Sequence, residues 1–209
     1  MKGRLGTLLL LVGLALAAAG GYLASRALTR GPLPAGAPPR AFTLLDDERP
    51  VPDFALQKPQ GIFTQADLTG KWTLIFFGYT HCPDVCPTAM TLLKELRRRL
   101  ASGGTPLPQV VFVSVDALRD TPALLGQYVP AFDPAFVGVT GSDEALAPLT
   151  KHLGVFFQRN SASGDPRNYT VDHSAAIYLI DPAGRLKAVF SPPQQVERMT
   201  QDYLSLISR

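Results

Sequence analysis

"WTLIFFGYTHCPDVCPTAMTLLKELRRRL", Trp72 to Leu100, holds both cysteines of the chain, four residues apart, where one pattern gives way to another. Trp72 to Thr80 is a continuous apolar run of aromatic and β-branched residues, which predicts a strand buried on both faces. After Thr88, the residues Ala89, Leu92, Leu93, Leu96 and Leu100 recur on one helical face. "SGGTP" then stops the helix, as glycines and proline do. Cys82 and Cys86 therefore stand between a strand and a helix. In an α/β sheet that is the carboxyl end of a strand, where binding sites gather. A proline inside a helix costs about 3 kcal/mol, so Pro83 and Pro87 mark residues 82–87 as a loop running into the first turn. Amide groups there carry partial positive charge and favour thiolate over thiol.

Working outward, "VVFVSVDA", Val110 to Ala117, predicts a second buried strand. A helix is expected after Thr121, with Pro122 in its first turn and Asp120 and Thr121 as its caps. Short strands are expected at Phe136–Val139, Val155–Gln158, Ala176–Asp181 and Leu186–Phe190. "DPAG", Asp181 to Gly184, is a turn signal that makes the last two a hairpin. Strand–helix–strand at the start and a hairpin at the end give an α/β fold with a central sheet flanked by helices. Trp72, Phe76, Phe77 and Tyr79 read as core or site wall. There are no internal repeats.

The chain has 209 residues, 46% of them hydrophobic and 18% charged, with a net charge of +3. That suits one globular domain with a full core and excludes disorder as the main state. Arg97, Arg98 and Arg99 form the one dense basic run and read as a solvated helix face. No nucleic-acid motif is present. At the N-terminus, Lys2 and Arg4 precede Leu5 to Leu23, a run of 19 residues without a charge. About 20 apolar residues span a bilayer, so residues 5–25 read as a membrane anchor behind a short flank, residues 1–4. A signal peptide is the alternative, because "ALAAAG" offers small residues to a peptidase. Residues 26–41, rich in Pro, Gly and Ala, read as a semi-rigid tether, and the folded domain as residues 42–209. Either reading of the N-terminus sends the domain to an exported space where thiols can oxidise.

Three roles are open to the cysteine pair. As a structural staple it closes so short a loop that it would contribute about 2 kcal/mol, which a domain of this size hardly needs. As a redox pair it is credible, since an i, i+4 spacing in a helical turn brings Cα atoms within disulfide range. A metal pair is equally credible, and two sulfurs would then need a third ligand. Of the three histidines, His173 in "YTVDHSAAIYLID" stands just before a predicted strand. His81 adjoins Cys82 and points away from the face Cys82 uses, and His152 reads as a surface residue.

"FFGYTHCPDVCPTAM", "VDALRDTP" and "VDHSAAIYLIDPAG" resemble the three signature blocks of the Sco/SenC proteins, membrane-tethered copper proteins of cytochrome c oxidase assembly. The likeness runs from about Val51 to the C-terminus. It departs in the second block, where Ala117 replaces a common proline. The resemblance implies a thioredoxin-like fold with a central mixed sheet, in which Cys82, Cys86 and His173 bind copper. It also places Asp116 near the metal, and Asp116 and Asp172 become candidates to orient the His173 ring. Thiolates select Cu(I) and imidazole suits both oxidation states. The function so implied is a metallochaperone, not a catalyst: it takes copper from a donor protein and delivers it to the binuclear copper site of an oxidase subunit. Its place would be a bacterial inner membrane, single-pass, facing the periplasm. The alternative is a thiol–disulfide reductase acting on that subunit's cysteines through a redox-active Cys82–Cys86 disulfide. Against it stand the spacing C-x-x-x-C and the lack of a proline at residues 172–174.

Overall fold

In the computed structural model, residues 13, 17–22, 42–44, 50–161 and 168–208 are described. The sheet is built around β4 (Thr73–Gly78), every residue of which is buried. Side chains alternate between the two faces of a strand, so a strand apolar throughout needs cover on both. β4 pairs in parallel with β5 (Gln109–Ser114), and β5 in parallel with β6 (Val137–Thr140). On its other side β4 meets β9 (Ile177–Ile180) in antiparallel register, and β9 meets β10 (Leu186–Phe190) as the expected hairpin. Three short strands complete the mixed sheet: β1 (Thr43–Leu44) beside β10, and β2 (Ala55–Gln57) and β3 (Ile62–Thr64) beyond β6. The eight strands run in the order β1-β10-β9-β4-β5-β6-β2-β3.

Helix α1 (Val85–Ser102) carries the chain from β4 to β5. It buries Cys86, Ala89, Met90, Leu93, Leu96 and Leu100, and each large side chain contributes about 1.5–3 kcal/mol on leaving water. Helices α2 (Pro122–Tyr128) and α3 (Asp143–Leu153) follow β5 and β6. The Thr121 hydroxyl accepts from the Leu124 amide, so the expected cap at Thr121 is present. Gly154 ends α3 in the left-handed region, at φ 67°, a position that suits glycine. Helix α4 (Val196–Ile207) packs against α1 and buries Met199, Tyr203 and Leu206.

Several expectations need correction. The strand expected at Val155–Gln158 is β7 (Phe157–Asn160), and it does not join the main sheet. It pairs instead with β8 (Thr170–His173) in a separate two-stranded ribbon. Arg97 is not solvated: its side chain is 14% exposed, donates to the Pro108 carbonyl and lies over the Phe136 ring. His152 is half-buried, with Nε2 buried and without a hydrogen-bond partner among the described residues. The expected membrane segment and tether lie outside the described residues, apart from residues 13 and 17–22, which are helical. Among the described residues no helix is long and apolar enough to cross a membrane.

Candidate metal centre

β4 ends at Gly78, and the loop "YTHCPD" leads into α1. Three bonds shape that loop. The Cys82 amide donates to the Tyr79 carbonyl at 3.2 Å, and the Thr88 amide to the Asp84 carbonyl at 3.2 Å. The Cys86 amide donates to Cys82 Sγ at 3.4 Å. The first amides of a helix have no partner within it, and here a sulfur takes one of them. Cys86 is fully buried and Cys82 partly exposed, and both are free thiols.

His173 reaches the same point from 87 residues away. It ends β8 opposite Phe157, and its Nε2 stands 3.5 Å from Cys86 Sγ. Its ring meets the rings of Phe76 and Tyr79 edge-on, at centroid distances of 6.0 and 5.9 Å. Nδ1 lies 3.2 Å from the Ser174 carbonyl. Together these contacts assign the tautomer: Nδ1–H donates to Ser174, and Nε2 accepts the Cys86 thiol proton. Burial holds the His173 pKa below the usual imidazole value, against smaller upward pulls from the Ser174 carbonyl and Asp172. Burial also pushes the Cys86 thiol up, reinforced by Cys82 and Asp120. At Cys86 the expected preference for thiolate is therefore absent, because desolvation outweighs the one backbone bond, from Tyr79, that pulls the other way.

Cys82 Sγ, Cys86 Sγ and a ring nitrogen of His173 all lie within 4.8 Å of one another. With bond lengths typical of zinc, a sulfur and a nitrogen on one tetrahedral ion stand about 3.5 Å apart. The spacing of Cys86 and His173 therefore fits a shared ion without rearrangement. Two thiols and an imidazole form a soft donor set suited to copper or zinc.

The other candidates lie elsewhere. Asp116 is fully buried and accepts from the Tyr169 hydroxyl and from Arg119 Nε. Asp172 is exposed and accepts from Asn160 at 2.7 Å. Neither carboxylate accepts from the His173 ring, a task that falls to the Ser174 carbonyl. Asp120 is no helix cap. It is fully buried and accepts from the Thr80 amide (2.8 Å), the Thr80 hydroxyl (2.6 Å) and the Ser114 hydroxyl (2.6 Å). It thus ties the cysteine loop to β5. The exposed His81 ring lies toward Thr80 and Asp120, outside the ligand cluster.

One residue escaped the sequence reading. A Cβ on Gly78 would lie 2.6 Å from Cys86 Sγ and 2.9 Å from Phe112. Only glycine lets the buried sulfur approach the strand so closely. The signal was a glycine closing a strand of large side chains.

A mixed sheet with a dithiol where the central strand passes into a helix defines a thioredoxin-like domain, and the imidazole beside the thiols makes its site a potential metal site. The chain belongs to the SCO1/SenC family, whose sequence profile matches residues 44–208. The Bos taurus protein named "Protein SCO2 homolog, mitochondrial" is 39% identical over 150 residues, covering 71% of this chain and 56% of that one. This chain thus spans little more than half of that relative. Apo Sco1 from Thermus thermophilus shares the fold with a TM-score of 0.71 and 39% identity, over 80% of this chain and 96% of that one. Arabidopsis thaliana ScoI with copper bound does so with a TM-score of 0.71 and 30% identity, over 77% and 99%.

Proposed function

We propose that this chain binds one copper ion through Cys82, Cys86 and His173 and delivers it to the binuclear copper site of a cytochrome c oxidase subunit. The convergence of two sulfurs and one imidazole within 4.8 Å carries the reading. Membership of the SCO1/SenC family and the likeness to a copper-bound ScoI support it. The two thiols supply the soft pair that holds Cu(I), and the imidazole adds a ligand that Cu(II) accepts equally. Copper loading needs both sulfurs reduced, so a Cys82–Cys86 disulfide and a bound ion exclude each other. The donor is a second copper protein. Residues 5–25 anchor the domain to a bacterial inner membrane, and residues 26–41 hold it on the periplasmic side.

The test is metal analysis of the reduced protein, with absorption and spin-resonance spectra to identify sulfur and nitrogen ligation. One copper per chain is expected, and none with Cys82→Ser. Stoichiometric binding by that variant would overturn the reading. Deleting residues 1–30 should release the protein from membranes without unfolding it. A second reading, a thiol–disulfide reductase, draws on the unequal exposure of the thiols: Cys82 is accessible for attack and Cys86 is buried behind it to resolve the mixed disulfide. Rapid reduction of the oxidase subunit's disulfide by copper-free protein would favour it.

A further inference from the structure

The ribbon that carries His173 is held from beneath by polar groups. Among the described residues β7 and β8 pair only with each other, and of their residues Val171 alone is buried. Tyr169, just before β8, donates its hydroxyl to the buried carboxylate of Asp116. Arg119 donates Nε to the same carboxylate and Nη1 to the Tyr169 carbonyl at 2.9 Å. Its guanidinium carbon lies 3.6 Å from the centroid of the Tyr169 ring. On the other strand, Arg159 donates to the Val115 carbonyl at 2.9 Å and pairs with both oxygens of Asp143 at 2.8 Å. Both strands are thus bound to the segment that leaves β5.

Arg119 also reaches the metal side. Its guanidinium lies 5.6 Å from the centroid of Tyr79, and the Tyr79 ring meets that of His173 edge-on. One side chain therefore contacts both the root of β8 and the ring against which the imidazole rests. Its Nη2 is buried without a hydrogen-bond partner among the described residues. Lysine has neither the plane nor the fork to reproduce these contacts.

We infer that Arg119 is a positioning residue for His173. Held against Tyr169 and Tyr79, it sets β8 at the depth where Nε2 stands 3.5 Å from Cys86 Sγ. It touches none of the three ligands and acts through the two tyrosines. The inference deepens the copper reading and rests on it for its metal-dependent consequences.

The experiment compares wild type, Arg119→Lys and Tyr169→Phe as full chains in detergent. In the copper-free state, nuclear Overhauser contacts between the His173 and Tyr79 rings report the position of the imidazole. In the loaded state, the affinities for Cu(I) and Cu(II) and the nitrogen coupling in the Cu(II) spin-resonance spectrum report its ligation. Arg119→Lys should weaken the ring–ring contact, alter the nitrogen coupling and weaken Cu(II) about tenfold or more, the scale seen when a group orienting a metal-bound imidazole is lost. Cu(I) affinity should stay close to wild type, because the thiols do not move. Tyr169→Phe, which removes one oxygen, should shift each readout the same way by less, and it carries the test if the lysine variant does not fold. Unchanged ring contacts and Cu(II) spectra in both variants would overturn the inference, as would equal losses of Cu(I) and Cu(II). If wild type bound no copper, the copper reading would fall alone, and the ring contacts would still decide the role of Arg119.

Discussion

Cys86 projects from a helix whose buried face is otherwise apolar, into space left by a glycine on a fully buried strand. His173 ends a ribbon with a single buried residue, secured by carboxylates, guanidiniums and a phenol. The first half of the site is fixed by close packing, where displacing one methyl group is costly. The second depends on directional polar bonds that many small changes can loosen. The place of the Cys86 thiol thus depends on the core, and that of the imidazole on the ribbon.

The largest effect should separate the two halves outright. Cys86→Ser is expected to abolish stoichiometric binding of both Cu(I) and Cu(II). His173→Ala should cost Cu(II) far more than Cu(I), since two soft sulfurs remain. Competition titrations against chelators of known affinity measure both, and equal losses for His173→Ala would erase the contrast. Next in size is Gly78→Ala. Its methyl group would press on Cys86 Sγ and Phe112, and overpacking of that kind costs about 1–3 kcal/mol in denaturant unfolding. Copper affinity should fall with it, whereas the ribbon's amide exchange should not change.

A pH series sharpens the comparison further. The folded state holds the His173 pKa low, so below the unfolded imidazole value of about 6.5 the unfolded chain binds the extra proton. Stability of the reduced, copper-free protein should therefore fall as pH drops below that value, down to the lowered folded pKa. His173→Gln should flatten this part of the profile. The smallest effect is expected at Asp172. Exposed and bonded to Asn160, it should cost no more than about 0.5 kcal/mol when changed to asparagine. Losing its charge should lower the His173 pKa slightly further, which proton resonance titration can follow.

The packed half of the site was the legible half. β4, α1 and the turn between them announce themselves in contiguous residues, because apolar periodicity and proline placement act locally. The partnership of Cys82, Cys86 and His173 could not be read from spacing. It entered by resemblance, and 87 residues separate the second thiol from the ring that meets it. Of the ribbon only β7 was anticipated, two residues early, and β8 went unread for a physical reason. Gln158, Arg159, Asn160, Thr170 and Asp172 show no apolar alternation, since their strands lie largely over a polar cluster and give only Val171 and Phe157 to the core. Asp120 was misread because "DTP" is a common helix start. Its true partners, Thr80 and Ser114, lie on other elements and leave no local trace. Helix α4 did leave one, in the spacing of Met199, Tyr203 and Leu206.

In the ribbon, Phe157 faces His173 and Gln158 faces Asp172. Strand side chains alternate, so a slip of one residue would turn the imidazole outward and bring a neighbour, Asp172 or Ser174, to the thiols. With Asp172 the donor set would change from soft to mixed, and the preferred cation would change with it. At the proposed copper site, ion preference would therefore depend partly on alignment, because a one-residue shift in pairing changes the donor set.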